Sequence, residues 1–301
     1  MQRAALALAL ALALAACGLG PGAERKGGAE LRVTRDFGHA RLGAVRIRRV
    51  REDQTVMRLL RSRFDVKTRY GGRFVQAIRG LSGRGATGQV DWFYFVNGIE
   101  ADVGAAEYEL SPGDVVQWDY RRWDGAMRVP AIVGAYPEPF LRGLRGKRYP
   151  VRVECGDDTS KSCRLVKSRL LRLGVRATGA SLGTSGTRDV MRVVVAPWKR
   201  AKIVSTVASL EKGPQGSGVF ARFSSDGREL DLLGPGGRVT RRAPAGTGLV
   251  AAFAPSKQEI VWLVTGLDER GLDAAARALD PRSLRDAYAV AATPGGTVKL
   301  P

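Results

Sequence analysis

Histidine and cysteine are scarce in this chain. Its 301 residues include one histidine, His39, and three cysteines. A single histidine excludes most catalytic triads and nearly all histidine-based metal sites, because both need further partners of the right type. The G-x-S-x-G and H-E-x-x-H motifs of hydrolases and zinc proteases are also missing from the sequence. We therefore expect no catalytic residues, no metal site and a protein that is not an enzyme.

A membrane-spanning helix needs about 20 consecutive apolar residues. No run after the N-terminal segment approaches this length. The N-terminal run, Ala4 to Ala13, follows a short basic start and precedes Leu14-Ala15-Ala16-Cys17-Gly18. This pattern resembles a bacterial lipoprotein signal with its lipobox, which implies a signal over residues 1–17 and lipidation of Cys17. An ordinary secretory signal with a chance cysteine is the alternative.

The expected lipid places the protein in the bacterial cell envelope, anchored to the membrane on its extracytoplasmic face. Residues 18–29 are rich in Gly, Ala and charge without an apolar period, which predicts a flexible tether. Cys155 and Cys163 remain after Cys17, and an even number of cysteines outside the cytoplasm favours a disulfide. Two free thiols are the alternative.

Acidic residues are too few to balance the basic ones, and the formal net charge is +20. Such a charge is typical of proteins that meet anionic partners, such as lipid headgroups or cell-wall polyanions. Because the arginines are scattered, an arginine-rich composition without a polyanion site is the other interpretation. The sequence carries no nucleic-acid motif, and we expect no nucleic-acid partner.

Residues 91–124 carry the strongest β signal. Trp92 to Val96 and Val115 to Tyr120 are dense in aromatic and β-branched side chains, which favours strands. Asn97-Gly98 follows the first of them and predicts a tight turn. A period of two places alternate side chains on one face of each strand. These are Trp92, Tyr94 and Val96 on the first strand, and Val116, Trp118 and Tyr120 on the second.

This stretch resembles a known family. Trp92-Phe93-Tyr94-Phe95-Val96-Asn97-Gly98, Gly104 to Tyr108 and Pro112-Gly113-Asp114 are similar to the core motif of transcobalamin C-terminal-like domains. Thr55 to Leu60 and Gly72 to Gly80 resemble that family's helix start and an upstream strand. The family has a small β-grasp-like sheet, so the resemblance implies such a domain over residues 30–125.

The resemblance also implies a small ligand, because the family's domain covers one face of a corrinoid such as cobalamin. The family's ligand-binding residues correspond here to Trp92, Tyr94, Asn97 and Tyr108. Strand alternation adds Trp118 and Tyr120 to these candidates. The large helical domain that grips the other corrinoid face in the family is not recognisable in this chain. The alternative is that the aromatic residues only fill a small core.

The second half of the chain has a different pattern. Residues 126–149 are rich in Pro and Gly and predict a connector. Residues 150–301 alternate strand and helix signals, which favours an α/β domain; we recognise no family there. Thr159 or Ser160 is expected to cap a helix to Leu173, and Trp198 to Leu210 predicts another helix. The expected fold class is α+β: a small β-grasp-like sheet with one helix, then a C-terminal α/β domain.

These observations favour a cell-surface lipoprotein whose β-grasp domain binds a small ligand, with a corrinoid as the ligand that the resemblance implies. The alternative is a non-enzymatic interaction or scaffold module that binds a protein or a cell-wall polymer of the envelope. An envelope enzyme is the third hypothesis.

Overall fold

The structure is a computed structural model that describes residues 24–82, 88–184, 186 and 188–301. The expected signal over residues 1–17, the lipidation site Cys17 and residues 18–23 of the expected tether lie outside the described residues. None of the helices in the described ranges has the length and hydropathy of a membrane span.

The described chain forms strands β1 to β18, helices α1 to α7 and one 3-10 helix. The strands are β1 Glu24–Arg35, β2 Ala40–Arg51, β3 Val66–Arg69, β4 Phe74–Ile78, β5 Leu81–Ser82, β6 Val90–Val96, β7 Ile99–Glu100, β8 Val115–Arg122, β9 Val151–Cys155, β10 Ala177–Ser181, β11 Val190–Val195, β12 Ala221–Phe223, β13 Leu230–Leu233, β14 Val239–Arg242, β15 Gly248–Ser256, β16 Glu259–Gly266, β17 Ala289–Thr293 and β18 Gly296–Leu300. The helices are α1 Val56–Arg61, α2 Lys161–Arg172, α3 Trp198–Ala201, α4 Ser205–Ala208, the 3-10 helix Ser209–Lys212, α5 Pro214–Ser217, α6 Glu269–Ala278 and α7 Pro281–Leu284.

Strands β1 and β8 form the parallel centre of a five-stranded sheet in the order β2-β1-β8-β6-β7. The other neighbours in this sheet are antiparallel. Helix α1 packs on one face, and its buried residues join the same core as strand residues Leu31 and Val33. The hydroxyl of Thr55 accepts a hydrogen bond from the backbone N–H of Arg58 and caps the helix. The expected α+β class is confirmed.

The C-terminal half is built on a seven-stranded sheet in the order β10-β9-β11-β16-β15-β17-β18. The first four strands run parallel to one another. The pairings of β16 with β15, β15 with β17 and β17 with β18 are antiparallel. Alternate residues of β11 enter two different cores: Val193 and Val195 pack with α2 and α6, whereas Val194 packs with α3 and α4. Helices therefore cover both faces, as in an α/β domain.

Two sequence expectations need correction. Strand β1 begins at Glu24, inside the expected tether, because its first residues pair with β2 as far as Arg51; Gly27, at φ +111°, lies at a bulge in this ladder. The expected helix from Trp198 to Leu210 is broken into α3, α4 and a 3-10 helix. The break falls at Ile203, which is β-branched and 70% exposed rather than facing inward.

The connector packs into the junction between the two halves. Val129 and Ile132 join a cluster with Phe37, Phe95 and Tyr288. Further along the connector, the rings of Tyr136 and Phe140 lie 5.8 and 4.9 Å from the ring of Trp262 on β16. The face of the five-stranded sheet that points away from α1 is thereby held against the C-terminal half.

Candidate functional site

The aromatic face of the five-stranded sheet is part of the core. Trp92, Tyr108 and Trp118 are only 7%, 5% and 3% exposed. The rings of Tyr94 and Trp118 stack at 4.9 Å, and the ring of Tyr108 meets that of Tyr94 edge-on at 6.4 Å. Side chains of α1 complete this layer. The domain's own side chains therefore cover the face to which these expected ligand-binding residues belong.

Two tyrosine hydroxyls of this face are tied to the backbone. The Tyr94 hydroxyl donates to the carbonyl of Val103, and the Tyr120 hydroxyl donates to the carbonyl of Ser82. Burial raises the pKa of the Tyr94 hydroxyl well above its usual value. These hydroxyls therefore act as donors within the domain.

Asn97, another expected ligand-binding residue, is fully buried and holds two turns together. Its amide nitrogen lies 2.8 Å from both the carboxylate of Asp114 and the carbonyl of Gly143, and its amide oxygen accepts from the backbone N–H of Val115. Its φ of +53° fits the tight turn with Gly98. The side chain thus fixes the turn against β8 and the connector.

A pocket of about 180 Å³ opens beside this turn. Its wall is apolar: Val96 and Ile99 come from the strands on either side of the turn, and Leu144 comes from the connector. The rings of Tyr108 and Tyr149 also line it. Tyr108 is thus the one expected ligand-binding residue that borders this pocket.

The rim of the pocket is charged. Asp102 pairs with Arg145 at 3.1 Å and also with Lys257 from the turn between β15 and β16. The Arg145 guanidinium lies 5.1 Å from the ring centre of Tyr108. The Lys147 ammonium lies at the same distance from the ring of Tyr149, a cation–π arrangement. The lining thus holds three cations, Arg145, Lys147 and Lys257, and two carboxylates, Glu100 and Asp102. Lys147 also pairs with Asp189, at 3.3 Å.

Two of the three cationic side chains, Arg145 and Lys147, come from residues 142–148, which we call the basic turn. Leu144 and Lys147 pair with each other, while Arg145 and Gly146 adopt φ values of +52° and +73°. Two positive φ values are typical of a tight hairpin turn. Sequence reasoning treated this segment only as part of a connector. The signal that could have revealed it is its four basic residues within seven positions.

Cys155 and Cys163 form the predicted disulfide, which joins the end of β9 to α2. Their sulfur atoms and the carboxylate of Asp158 lie within 4.8 Å of one another. Cysteine binds metals as the thiolate, so the oxidised pair leaves Asp158 as the one ligand of this group.

Comparisons with known proteins find similarity for part of the chain. The profile of a protein family described as a domain of unknown function (DUF4430) matches residues 53–122, less than half of the chain. A solved structure from Ruminococcus gnavus, of a protein for which metal binding has been suggested, shares 14% identity. The similarity covers 32% of this chain and 97% of that chain, with a TM-score of 0.25. No curated protein matches the chain.

Proposed function

We propose that this protein is a non-enzymatic lipoprotein of the bacterial envelope that binds a small ligand in the pocket between Tyr108 and Tyr149. The observation that carries the proposal is the pocket itself, with its apolar wall, two tyrosine rings and charged rim. The family match over residues 53–122 includes the strand, the turn and Tyr108, and overlaps the region that resembles transcobalamin C-terminal-like domains.

The lining indicates the ligand's chemistry. Apolar and aromatic walls with a few polar groups are typical of small-molecule sites. The three lining cations outnumber the two lining carboxylates, Glu100 and Asp102, which favours a ligand with an anionic group. Tyr149 offers a ring on which a flat body can pack. The volume of about 180 Å³ is smaller than the ~300–1,000 Å³ of many ligand pockets. The proposed ligand is therefore a small aromatic or aliphatic acid.

A corrinoid has less structural support than a small acid. The aromatic face that the resemblance assigned to it is covered by α1 and Tyr108, and cobalamin is much larger than the pocket. Titration of the protein with cobalamin, followed by visible absorbance, tests this ligand directly. Saturable binding would favour the corrinoid over the small acid.

The experiment for the pocket compares phenylacetate with neutral phenylethanol by calorimetric titration of the purified mature protein in detergent. We expect phenylacetate to bind more tightly, because cations outnumber carboxylates in the lining of the pocket. Tyr149→Ala should weaken its binding by about tenfold, since a lost aromatic contact of this kind costs about 1–2 kcal/mol. Tyr70→Ala is the matched control, because Tyr70 is 77% exposed and does not line the pocket.

Equal weakening by Tyr149→Ala and Tyr70→Ala would contradict the pocket assignment. Absence of binding for both probes at millimolar concentration would favour the alternative function, an interaction or scaffold module of the envelope. The anchor is tested separately by cell fractionation: Cys17→Ser should move the protein out of the membrane fraction. Unchanged membrane retention of this variant would contradict lipidation.

A further inference from the structure

A second and larger cavity system, which we call the basic cleft, borders the same basic turn. It consists of two adjoining hollows of about 400 and about 360 Å³ that share Gly28, Gly113 and Arg142. The start of β1, the turn before β8, the connector and the segment after α7 surround it. Arg142 lies directly against Gly113, where an added Cβ would come within 1.9 Å of the guanidinium nitrogen Nε.

Three guanidinium groups converge on one carboxylate at the floor of the basic cleft. Glu30 accepts from Arg32 at 2.8 Å, from Arg46 at 3.0 Å and from Arg285 at 3.0 Å. Burial alone would raise the pKa of Glu30, but hydrogen bonds and charge from Arg32 and Arg46 outweigh it and lower the pKa to about 2. The carboxylate therefore stays ionised. Arg32 also pairs with Asp286 at 3.3 Å, and Arg41 pairs with that same carboxylate, so four guanidinium groups surround two negative charges.

A buried donor at this site also remains unused. Within the described residues, Nε of Arg285 is buried and has no hydrogen-bond partner. A buried guanidinium N–H normally has an acceptor, because leaving it unpaired costs free energy. The floor of the basic cleft thus has both an excess of positive charge and a donor that an anion could satisfy.

The rim adds further positive charge. Lys26 and Arg148 are exposed, and neither forms an ion pair with any other described residue. The whole basic cleft is lined by more cations than carboxylates. The cations are Lys26, Arg32, Arg46, Arg142, Arg148 and Arg285, and the carboxylates are Glu30 and Glu138.

Covalent geometry limits how far the basic cleft can lie from a lipid on Cys17. Lys26 follows Cys17 by nine positions, and an extended chain spans at most about 3.6 Å per residue, or roughly 30 Å in all. An anchored protein therefore keeps this rim close to the bilayer surface. Anionic lipids attract basic side chains that lie near that surface.

We propose that the basic cleft binds the phosphate of an anionic phospholipid headgroup and thereby orients the protein on its membrane. The inference rests on the lipid anchor proposed above, but not on the small-ligand pocket. Guanidinium groups suit this role because their planar donors match phosphate oxygens in pairs. The bound phosphate would neutralise the surplus charge around Glu30 and offer an acceptor to Arg285.

The experiment uses phosphorus NMR of the purified lipidated protein in mixed micelles of a non-ionic detergent. Phosphatidylglycerol is the anionic probe, phosphatidylcholine is the zwitterionic control, and inorganic phosphate in lipid-free micelles is the free-anion control. We expect saturable broadening of the phosphatidylglycerol signal. The affinity of the protein for phosphatidylcholine and for inorganic phosphate should be weaker by about tenfold or more. The measurement requires no retention in cells, so its failure would leave the lipid anchor untouched.

Variants locate the binding. Lys26→Gln combined with Arg148→Gln should weaken phosphatidylglycerol binding by roughly tenfold or more, because two positive charges at the rim of the basic cleft are lost. Arg238→Gln combined with Arg241→Gln removes the same charge from exposed positions at β14 and should leave binding unchanged. Equal weakening by both pairs would overturn the proposal, as would absence of saturable binding. Inorganic phosphate that binds as tightly as phosphatidylglycerol would also overturn it, in favour of a free-anion site.

Discussion

The two faces of the five-stranded sheet are both buried, but they differ in polarity. The face under α1 is apolar and aromatic, whereas the opposite face, which we call the polar face, buries charged residues of β1 and β8 beside the apolar ring of Phe95. Trp118 on β8 is 3% exposed and packs under α1. The next residue, Asp119, is 0% exposed and points to the C-terminal half, where the hydroxyl of Tyr288 donates to it at 2.9 Å. Strand alternation alone accounts for this difference, so adjacent residues of one strand serve an apolar core and a polar interface.

The aromatic face and the polar face are stabilised in different ways. The aromatic face is held by shape and by removal of apolar area from water, which are not directional. The polar face requires a partner for each group, because an unpaired buried charge is costly. Asp119 accordingly accepts from the hydroxyl of Thr34 and from the backbone N–H groups of Phe37 and Gly38, at 2.6 to 3.1 Å. The polar face therefore defines how the two halves dock.

Truncation on the aromatic face should have the largest effect. Trp118→Ala removes a buried ring and leaves a cavity, so we expect the free energy of unfolding to fall by about 3–5 kcal/mol. Chemical denaturation followed by circular dichroism measures this loss. Trp123→Ala is the control, because Trp123 follows the end of β8 and is only partly buried. Equal losses for the two variants would show that the face is not the core of the domain.

Loss of charge on the polar face should have the next largest effect. Asp119→Asn keeps the shape of the side chain but replaces one acceptor oxygen with a donor, which then faces other donors. We expect a loss of about 2–3 kcal/mol in the free energy of unfolding. Because Asp119 contacts Tyr288 across the junction, calorimetry should show two separate unfolding transitions in this variant. A single transition that shifts as one unit would contradict the docking role.

Local patterns in the sequence were sufficient for much of the fold. Alternation assigned the aromatic residues of β6 and β8 to one face, and the caps at Thr55 and Ser160 mark the starts of α1 and α2. The count of cysteines predicted the bridge between Cys155 and Cys163. Each of these signals depends on neighbouring positions or on a simple count.

Distant contacts account for what the sequence did not reveal. Alternation shows that Trp92 and Trp118 share a face, but not that α1 covers them. Arg32 and Asp286 form an ion pair although 254 positions separate them, and no local pattern connects them. The sequence did not predict strand β17, because its Ala-rich sequence has low β propensity. The segment forms a strand because it is buried between neighbouring strands.

The smallest expected effect concerns the pH dependence of stability. It distinguishes two buried carboxylates, Asp114 and Glu30. Asp114, at the turn that leads into β8, accepts from the backbone N–H of Ser111 and from the amide of Asn97. Burial raises the pKa of Asp114 from 3.8 to about 6. On the polar face, the arginines around Glu30 overcome its burial and lower its pKa from 4.5 to about 2.

The two pKa shifts have opposite consequences for stability. A raised pKa means that the folded protein holds the proton of Asp114 more tightly than the unfolded chain does, so this group's contribution to stability falls as the pH rises from about 4 to about 6. The lowered pKa of Glu30 gives stability that is complete above about pH 4.5 and is lost as the pH falls toward 2. Between pH 4 and 6, the free energy of unfolding should therefore fall by about 2 kcal/mol less in Asp114→Asn than in the wild type. The loss of stability below pH 4.5, which comes from Glu30, should persist in this variant. Glu30→Gln should show the reverse pattern, and denaturant titrations of both variants at each pH measure it. If Asp114→Asn retained the wild-type slope between pH 4 and 6, burial at this turn would not be the cause of the raised pKa.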